Sequence, residues 1–153
     1  MNEIILDTIT FDYLTRNQKA LTPKAFQSIQ NADAVYLCVT SLWELSNHVR
    51  EGLIPLKSPF EVFYQMALNQ LGVILLDTQW SALNYLAKFD YQIIEKPWER
   101  LEDEVIIRGV KRELHKDSFY RMILAHAISR NLPIVSPDTF FPAYQNLGLQ
   151  VIW

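Results

Sequence analysis

A chain of 153 residues, half of them hydrophobic and a fifth charged, is long enough for one domain with its own core. A formal net charge of −3 gives no general pull toward nucleic acid, and a single cysteine, Cys38, excludes an internal disulfide and leaves no Cys/His spacing for zinc. No apolar run reaches the roughly 18 residues of a membrane span, and the opening MNEIILDT has neither a basic region nor a cleavage site, so a cytoplasmic protein with no membrane partner is expected.

The elements alternate along the chain. Ile4 to Leu6 reads as a central strand ending in Asp7-Thr8, and Phe11 to Leu14 as a short helix. Thr22-Pro23 pairs an N-cap with a proline at the first helical position and predicts a helix to about Gln30. Ala34 to Val39 is a second strand, followed by a helix from Thr40 to about Glu51 that stops at Gly52. Ser58 and Glu61 have capping-box spacing before a helix whose apolar face holds Phe60, Phe63, Tyr64, Ala67 and Leu71.

Val73 to Leu76 is a short extended run, and Asp77-Thr78 can cap a helix carrying Trp80, Leu83 and Ala87. Trp98 to Leu114 reads as a further amphipathic helix, acidic at its start and basic at its end, which suits the helix dipole, although Gly109 weakens it by about 1 kcal/mol relative to alanine. His115 to Asn131 is a clear helix with Phe119, Met122, Ile123 and Ile128 at helical spacing. Leu132 to Val135 is then a strand buried on both faces, Phe140 to Asn146 a short helix or turn, and Leu149 to Trp153 a final strand. Strands alternating with helices imply an α/β layered fold with a largely parallel sheet, in a single domain over residues 1–153.

Sites in such sheets form beyond the carboxyl ends of the strands. Four acids fall there: Asp7 after the first strand, Glu44 in the helix after the second, Asp117 at the start of the long helix and Asp138 after the strand that follows it. Two unit charges about 4 Å apart repel by about 4 kcal/mol at an effective dielectric near 20. A helix N-terminus returns only about 0.3–1 kcal/mol per carboxylate. Either some acids stay protonated or a divalent cation neutralises them, and oxygen-only ligands select Mg²⁺ or Mn²⁺. A metal so held activates water against a phosphodiester. Each acid also has a plainer use, because Asp7, Asp117 and Asp138 suit caps and turns and Ser41-x-x-Glu44 suits a capping box.

These segments resemble the PIN-domain proteins and, among them, the VapC-like ribonuclease toxins. IILDT resembles the family's first strand and first acid, VTSLWEL its Ser-x-Trp-Glu segment, and HKDSFYRMILAHAISRNLPIVSPDTFF its helix-and-strand motif. The last segment, Tyr144 to Trp153, resembles the family ending, and only about residues 91–113 look like extra helical or loop length. The resemblance implies a three-layer α/β/α sandwich with a central mainly parallel sheet, a Mg²⁺- or Mn²⁺-dependent endoribonuclease, an antitoxin partner and a homodimer, with Asp7, Glu44 and Asp138 as metal ligands.

The chain departs from the family where the helix motif carries two aspartates three residues apart. The first is Asp117, but the second, usually metal-facing, position is Tyr120. A phenol with a pKa of about 10 cannot stand in for a carboxylate at neutral pH. Asp117 lies one helical turn earlier on much the same face and is taken as the fourth catalytic and metal-binding acid. Ser41, Lys116 and Arg121 are candidates for contact with RNA or its phosphates. Two other readings stay open: a PIN domain that binds RNA or a partner without cutting, and a different α/β enzyme transferring phosphate through Asp7.

Overall fold

Ile4, Ile5 and Leu6 occupy the middle of the molecule. In the computed structural model, which describes residues 1–153 except the side chain of Pro142, they lie in β1 (Glu3–Leu6) and are fully buried. Successive side chains of a strand point to opposite faces. Ile4 and Leu6 accordingly enter one core, while Ile5 enters a second on the other side of the sheet.

After β1 come α1 (Thr8–Arg16), α2 (Pro23–Gln30), β2 (Ala34–Cys38), α3 (Val39–Arg50), α4 (Phe60–Leu71) and β3 (Val73–Leu76). The second half holds α5 (Trp80–Leu86), β4 (Ile93–Glu102), β5 (Val105–Leu114), α6 (Ser118–Ser129), β6 (Ile134–Val135), a 3₁₀ segment Phe141–Leu147 and β7 (Val151–Ile152). The expected α/β sandwich is present. Five strands form one parallel sheet in the order β3-β2-β1-β6-β7. Phe11, Ala25, Leu45 and Tyr64, from α1 to α4, fill the core on one face. Ile123, Leu124 and Ala127 of α6 fill the other, with Phe141 and Tyr144.

The chain walks outward from β1 through β2 to β3, then crosses back to start again at β6 on the other side of β1. The strand order therefore reverses between β1 and β6, and a crevice opens beyond their carboxyl ends. This crossing is tied down locally: the Thr10 hydroxyl donates to the Val135 carbonyl at 2.8 Å, across 125 residues of chain.

Several expected boundaries move. The first helix begins at Thr8 rather than Phe11, with Asp7 as its N-cap. The third begins at Val39, directly after β2, so Glu44 sits in its second turn and no Ser41–Glu44 capping box forms. Nor does Ser58 cap α4 or Asp77-Thr78 cap α5, whose N-cap residues are Pro59 and Gln79.

The largest correction concerns Trp98 to Leu114, which is not a helix. Residues 93–114 form an antiparallel hairpin of two ten-residue strands, turning at Asp103 and Glu104 with φ of 45° and 65°. The acid-then-base order that suits a helix dipole also suits antiparallel pairing, because it sets Glu99 opposite Arg108, at 3.2 Å, and Glu95 opposite Arg112. Gly109 is not a weak point in a helix but the seat of the Trp98 ring: a Cβ there would lie 2.6 Å from the indole.

Candidate active site

The crevice at the strand reversal is a cleft of about 130 Å³ whose walls include all four acids, Asp7, Glu44, Asp117 and Asp138, together with Thr8, His115 and Tyr120. A larger groove between α1 and α4, lined by Phe63 and Met66 among others, carries no acid.

Asp7 is the most constrained of the four. One carboxylate oxygen accepts the Thr10 N–H at 2.7 Å, which caps α1, and the other accepts the Ser136 hydroxyl. Ser136, just beyond β6, in turn accepts the Asp138 N–H at 3.0 Å. One serine thus links the acid beyond β1 to the acid beyond β6. Burial pushes the Asp7 carboxyl up to about 6, against the pull of its hydrogen bonds to Ser136 and Thr10 and with a smaller push from Asp138.

Glu44 and Asp138 are also raised, chiefly by burial. Both feel the charge of Asp117, and Glu44 that of Asp138 as well. The Thr8 hydroxyl lies beside Glu44 and lowers it, yet closes no hydrogen bond of standard geometry. Asp138 also accepts the Phe140 N–H at 2.8 Å. Asp117 is exposed, and its side chain accepts the Tyr120 N–H at 2.9 Å, so it caps α6 while facing the cleft. The plainer roles hold for Asp7 and Asp117 as caps and for Asp138, whose bond from the Phe140 N–H closes a turn, without removing any of them from the site.

Tyr120 closes the cleft where the resemblance places an acid. Its ring stacks on Phe141 at 5.0 Å between centroids and meets His115 edge-on at 4.4 Å. Its hydroxyl is buried with no partner. Burial first, then the charge of Asp138, pushes the phenol far above its ordinary range, so it stays protonated. His115 is buried, with Nδ1 2.5 Å from the Tyr144 hydroxyl. Burial lowers its pKa against the opposing pull of Asp117 and Asp138. His115 and Ser136 are site residues with no role assigned from the sequence, although both lie in the segment that carries the resemblance, one just before α6 and the other just after β6.

The three candidates for RNA contact part company. Arg121 is buried, its guanidinium 4.2 Å from the Phe89 ring centroid and 4.3 Å from that of Tyr91, and it donates to the Phe89 carbonyl at 3.0 Å. Its role here is to pin the chain before the hairpin to α6. Ser41 is fully buried with an unpartnered hydroxyl. Lys116 is exposed beside Asp117, its ammonium 5.5 Å from the Tyr91 ring.

The donor set fits a hard cation. Among the described residues, every ion pair lies away from the four acids, so no lysine or arginine is paired with them. As placed, no three acid, histidine or cysteine side chains among the described residues converge on one point. Carboxylate oxygens are the donors that hard divalent cations such as Mg²⁺ and Mn²⁺ take.

Sequence comparison finds no matching family model and no matching curated protein. Structural comparison does find likenesses. A chain of VapBC2 from Rickettsia felis, crystallised bound to a DNA fragment from their promoter, superposes with a TM-score of 0.61 at 16% identity, covering 97% of this chain and 96% of that one. A chain of VapBC-5 from Mycobacterium tuberculosis, of the VapBC family of toxin–antitoxin systems, gives 0.54 at 18% identity, over 99% and 96%. The protein has the PIN fold. The PIN sheet explains why acids far apart in sequence share one cleft: its reversal sets the ends of β1 and β6 side by side. No helix is long and apolar enough to cross a membrane.

Proposed function

We propose that this PIN-fold protein is a metal-dependent endoribonuclease, the toxin of a type II toxin–antitoxin pair, which hydrolyses RNA phosphodiester bonds. The observation that carries the reading is a cleft at the strand reversal holding Asp7, Glu44, Asp117 and Asp138, none of them in an ion pair among the described residues. The fold shared with chains of two toxin–antitoxin complexes supports the assignment to such a pair.

In this reading Asp7, Glu44 and Asp138 hold Mg²⁺ or Mn²⁺, with Asp117 at the rim binding it directly or through water. When bound, the ion neutralises the carboxylates, lowers the pKa of a water and polarises the phosphate. The protein's own contribution is preorganisation. Ser136 and the Thr10 N–H fix the Asp7 carboxylate, while Ser136 and the Phe140 N–H fix the loop carrying Asp138. Tyr120 and His115 wall the cleft with aromatic edges that exclude bulk water and strengthen the electrostatics inside it.

The test is cleavage of single-stranded RNA by purified protein with Mg²⁺ or Mn²⁺, repeated with Asp7→Asn and Glu44→Gln. Cleavage that vanishes in both variants is expected. Variants that cut as well as the parent would place the active site elsewhere.

Tyr120 favours a second reading, in which the fold binds RNA or a partner without cutting, because a buried neutral phenol occupies an acid's place. Under that reading the parent is inert at any Mn²⁺ concentration and Tyr120→Asp creates activity.

A further inference from the structure

A second cavity adjoins the acidic cleft. It opens at the root of the hairpin, holds about 410 Å³, and is lined by Ile93, Glu95 and Arg112 on one side and by Thr139, Phe140 and Ala143 on the other. Small-ligand sites span about 300–1,000 Å³ and set a few polar groups among apolar walls, which is the mixture found here. Phe140 belongs to both spaces, lining the cavity and also the cleft that holds Asp7, Glu44, Asp117 and Asp138. Its N–H donates to the Asp138 carboxylate at 2.8 Å, so one residue joins the cavity wall to an acid of the site. Arg112 stands apart from the other cations of the hairpin. Lys96 and Lys111 reach Glu113, Arg100 reaches Glu102 and Arg108 reaches Glu99, all within 3.6 Å. Arg112 lies across the ladder from Glu95, yet among the described residues it enters no ion pair.

We infer that this cavity holds one nucleotide of a single-stranded RNA, the neighbour of the one whose phosphate enters the cleft, with Arg112 on its phosphate and Glu95 selecting its base. The inference rests on the reading of the cleft as an RNA site. Continuity argues for this occupant, because a strand that leaves the cleft past Phe140 enters the cavity. Charge argues for it as well. A metal in the cleft neutralises one phosphate, while the acids around it repel the next, and Arg112 offers that next phosphate a planar fork of donors with no carboxylate to compete. Single-stranded RNA is read by splaying its bases against aromatic rings and bonding their edges, and Phe140 supplies the ring. Glu95 supplies acceptors only, so it suits a base with a projecting amino group, such as adenine or cytosine. In uracil the single N–H of the pairing edge lies between two carbonyl oxygens, which would face the carboxylate. The root of the hairpin is thereby the part of the molecule that chooses the sequence beside the cut.

The experiment is fluorescence anisotropy in Mg²⁺ with the full chain carrying Asp7→Asn, so that the RNA stays whole. The probes are fluorescein-labelled dodecamers of adenosine, cytidine and uridine. The first two are expected to bind about fivefold more tightly than the third. Arg112→Gln in the same background is expected to weaken all three about tenfold and to lower the slope of log affinity against log salt by about 0.7, the value for one phosphate contact on a single strand. Glu95→Gln, whose amide both donates and accepts, is expected to bring the uridine probe level with the other two. Arg108→Gln removes the same charge nearer the hairpin tip and is expected to leave binding unchanged. Glu95, Arg108 and Arg112 are exposed, and an unchanged circular dichroism spectrum excludes misfolding. Arg112→Gln that binds as tightly as its parent, or Arg108→Gln that loses as much, overturns the subsite and leaves the cavity to a protein segment. Equal affinity of the parent for the three probes overturns the selection by Glu95. Failure of every chain to bind RNA overturns the reading of the cleft and the subsite with it, whereas binding that ignores Arg112 overturns the subsite alone. None of these outcomes depends on whether the protein cuts RNA.

Discussion

The sheet body and the hairpin solve the problem of a β-ribbon in opposite ways. β1 has a neighbouring strand on both edges and a hydrophobic core on both faces, so its side chains need only be apolar. The hairpin has one partner strand and open faces, and it is held by cross-strand pairs, Glu99 with Arg108 and Trp98 over Gly109. The difference teaches where polar residues carry information. In the strands of the sheet charged residues are confined to the ends, and the acids of the site lie beyond them or on the helices that follow; on one face of the hairpin charged rows alternate with apolar ones and set the register.

The comparison is broken most sharply at the strand ends. Asp7→Asn and Glu44→Gln are expected to reduce RNA cleavage by a thousandfold or more while leaving the fold intact, measured as single-turnover cleavage beside a thermal melt. Asp7→Asn should also stabilise the metal-free protein. The Asp7 carboxyl titrates at about 6 in the fold against 3.8 for the free group. The native state therefore binds more protons between these values, and stability falls as pH rises through them. The penalty is complete above about pH 6 and absent below 3.8. At roughly 1.4 kcal/mol per unit it amounts to about 3 kcal/mol. Asparagine, which also caps helices well, should raise the melting temperature in chelator by several degrees at pH 7.5 and by almost nothing near pH 4.

Packing provides the next largest effect. Leu124→Ala, in the core beneath α6, is expected to cost about 2–5 kcal/mol in denaturant melts. Leu101→Ala, at the exposed hairpin tip, should stay within about 0.5 kcal/mol in the monomer. Equal losses at the two positions would mean that the hairpin is packed as the sheet is.

The smallest effects sharpen the account of the hairpin itself. Glu104→Gly relieves a positive φ of 65° and should slow amide exchange along β4 and β5 by stabilising the turn by about 1 kcal/mol. Gly109→Ala should speed that exchange, because the added Cβ would displace the Trp98 indole from 2.6 Å. Neither change should alter exchange in β1.

Legibility followed the same division. The parallel strands and the long helix were readable because apolar periodicity reports burial directly, and the strand-end rule then gathered Asp7, Glu44, Asp117 and Asp138 into one cleft. The hairpin was not readable. Its turn is Asp-Glu rather than a glycine-bearing pair, and its charge order satisfies a helix dipole and an antiparallel ladder equally well. Ser136 was missed because its bond to Asp7 spans 129 residues and leaves no local trace. Arg121 was misplaced because a motif gives a residue's position on a helix but not the rings of Phe89 and Tyr91 that enclose it.

The hydrogen-bonded burial of Asp7 has a further consequence. A carboxyl that titrates near 6 competes for its proton with whatever cation enters the cleft. In the proposed reading, loading the site is an exchange of proton for metal. Below that pH the apparent affinity should fall about tenfold for each unit of acidity and each proton displaced, so that mild acid empties the site before it unfolds the protein.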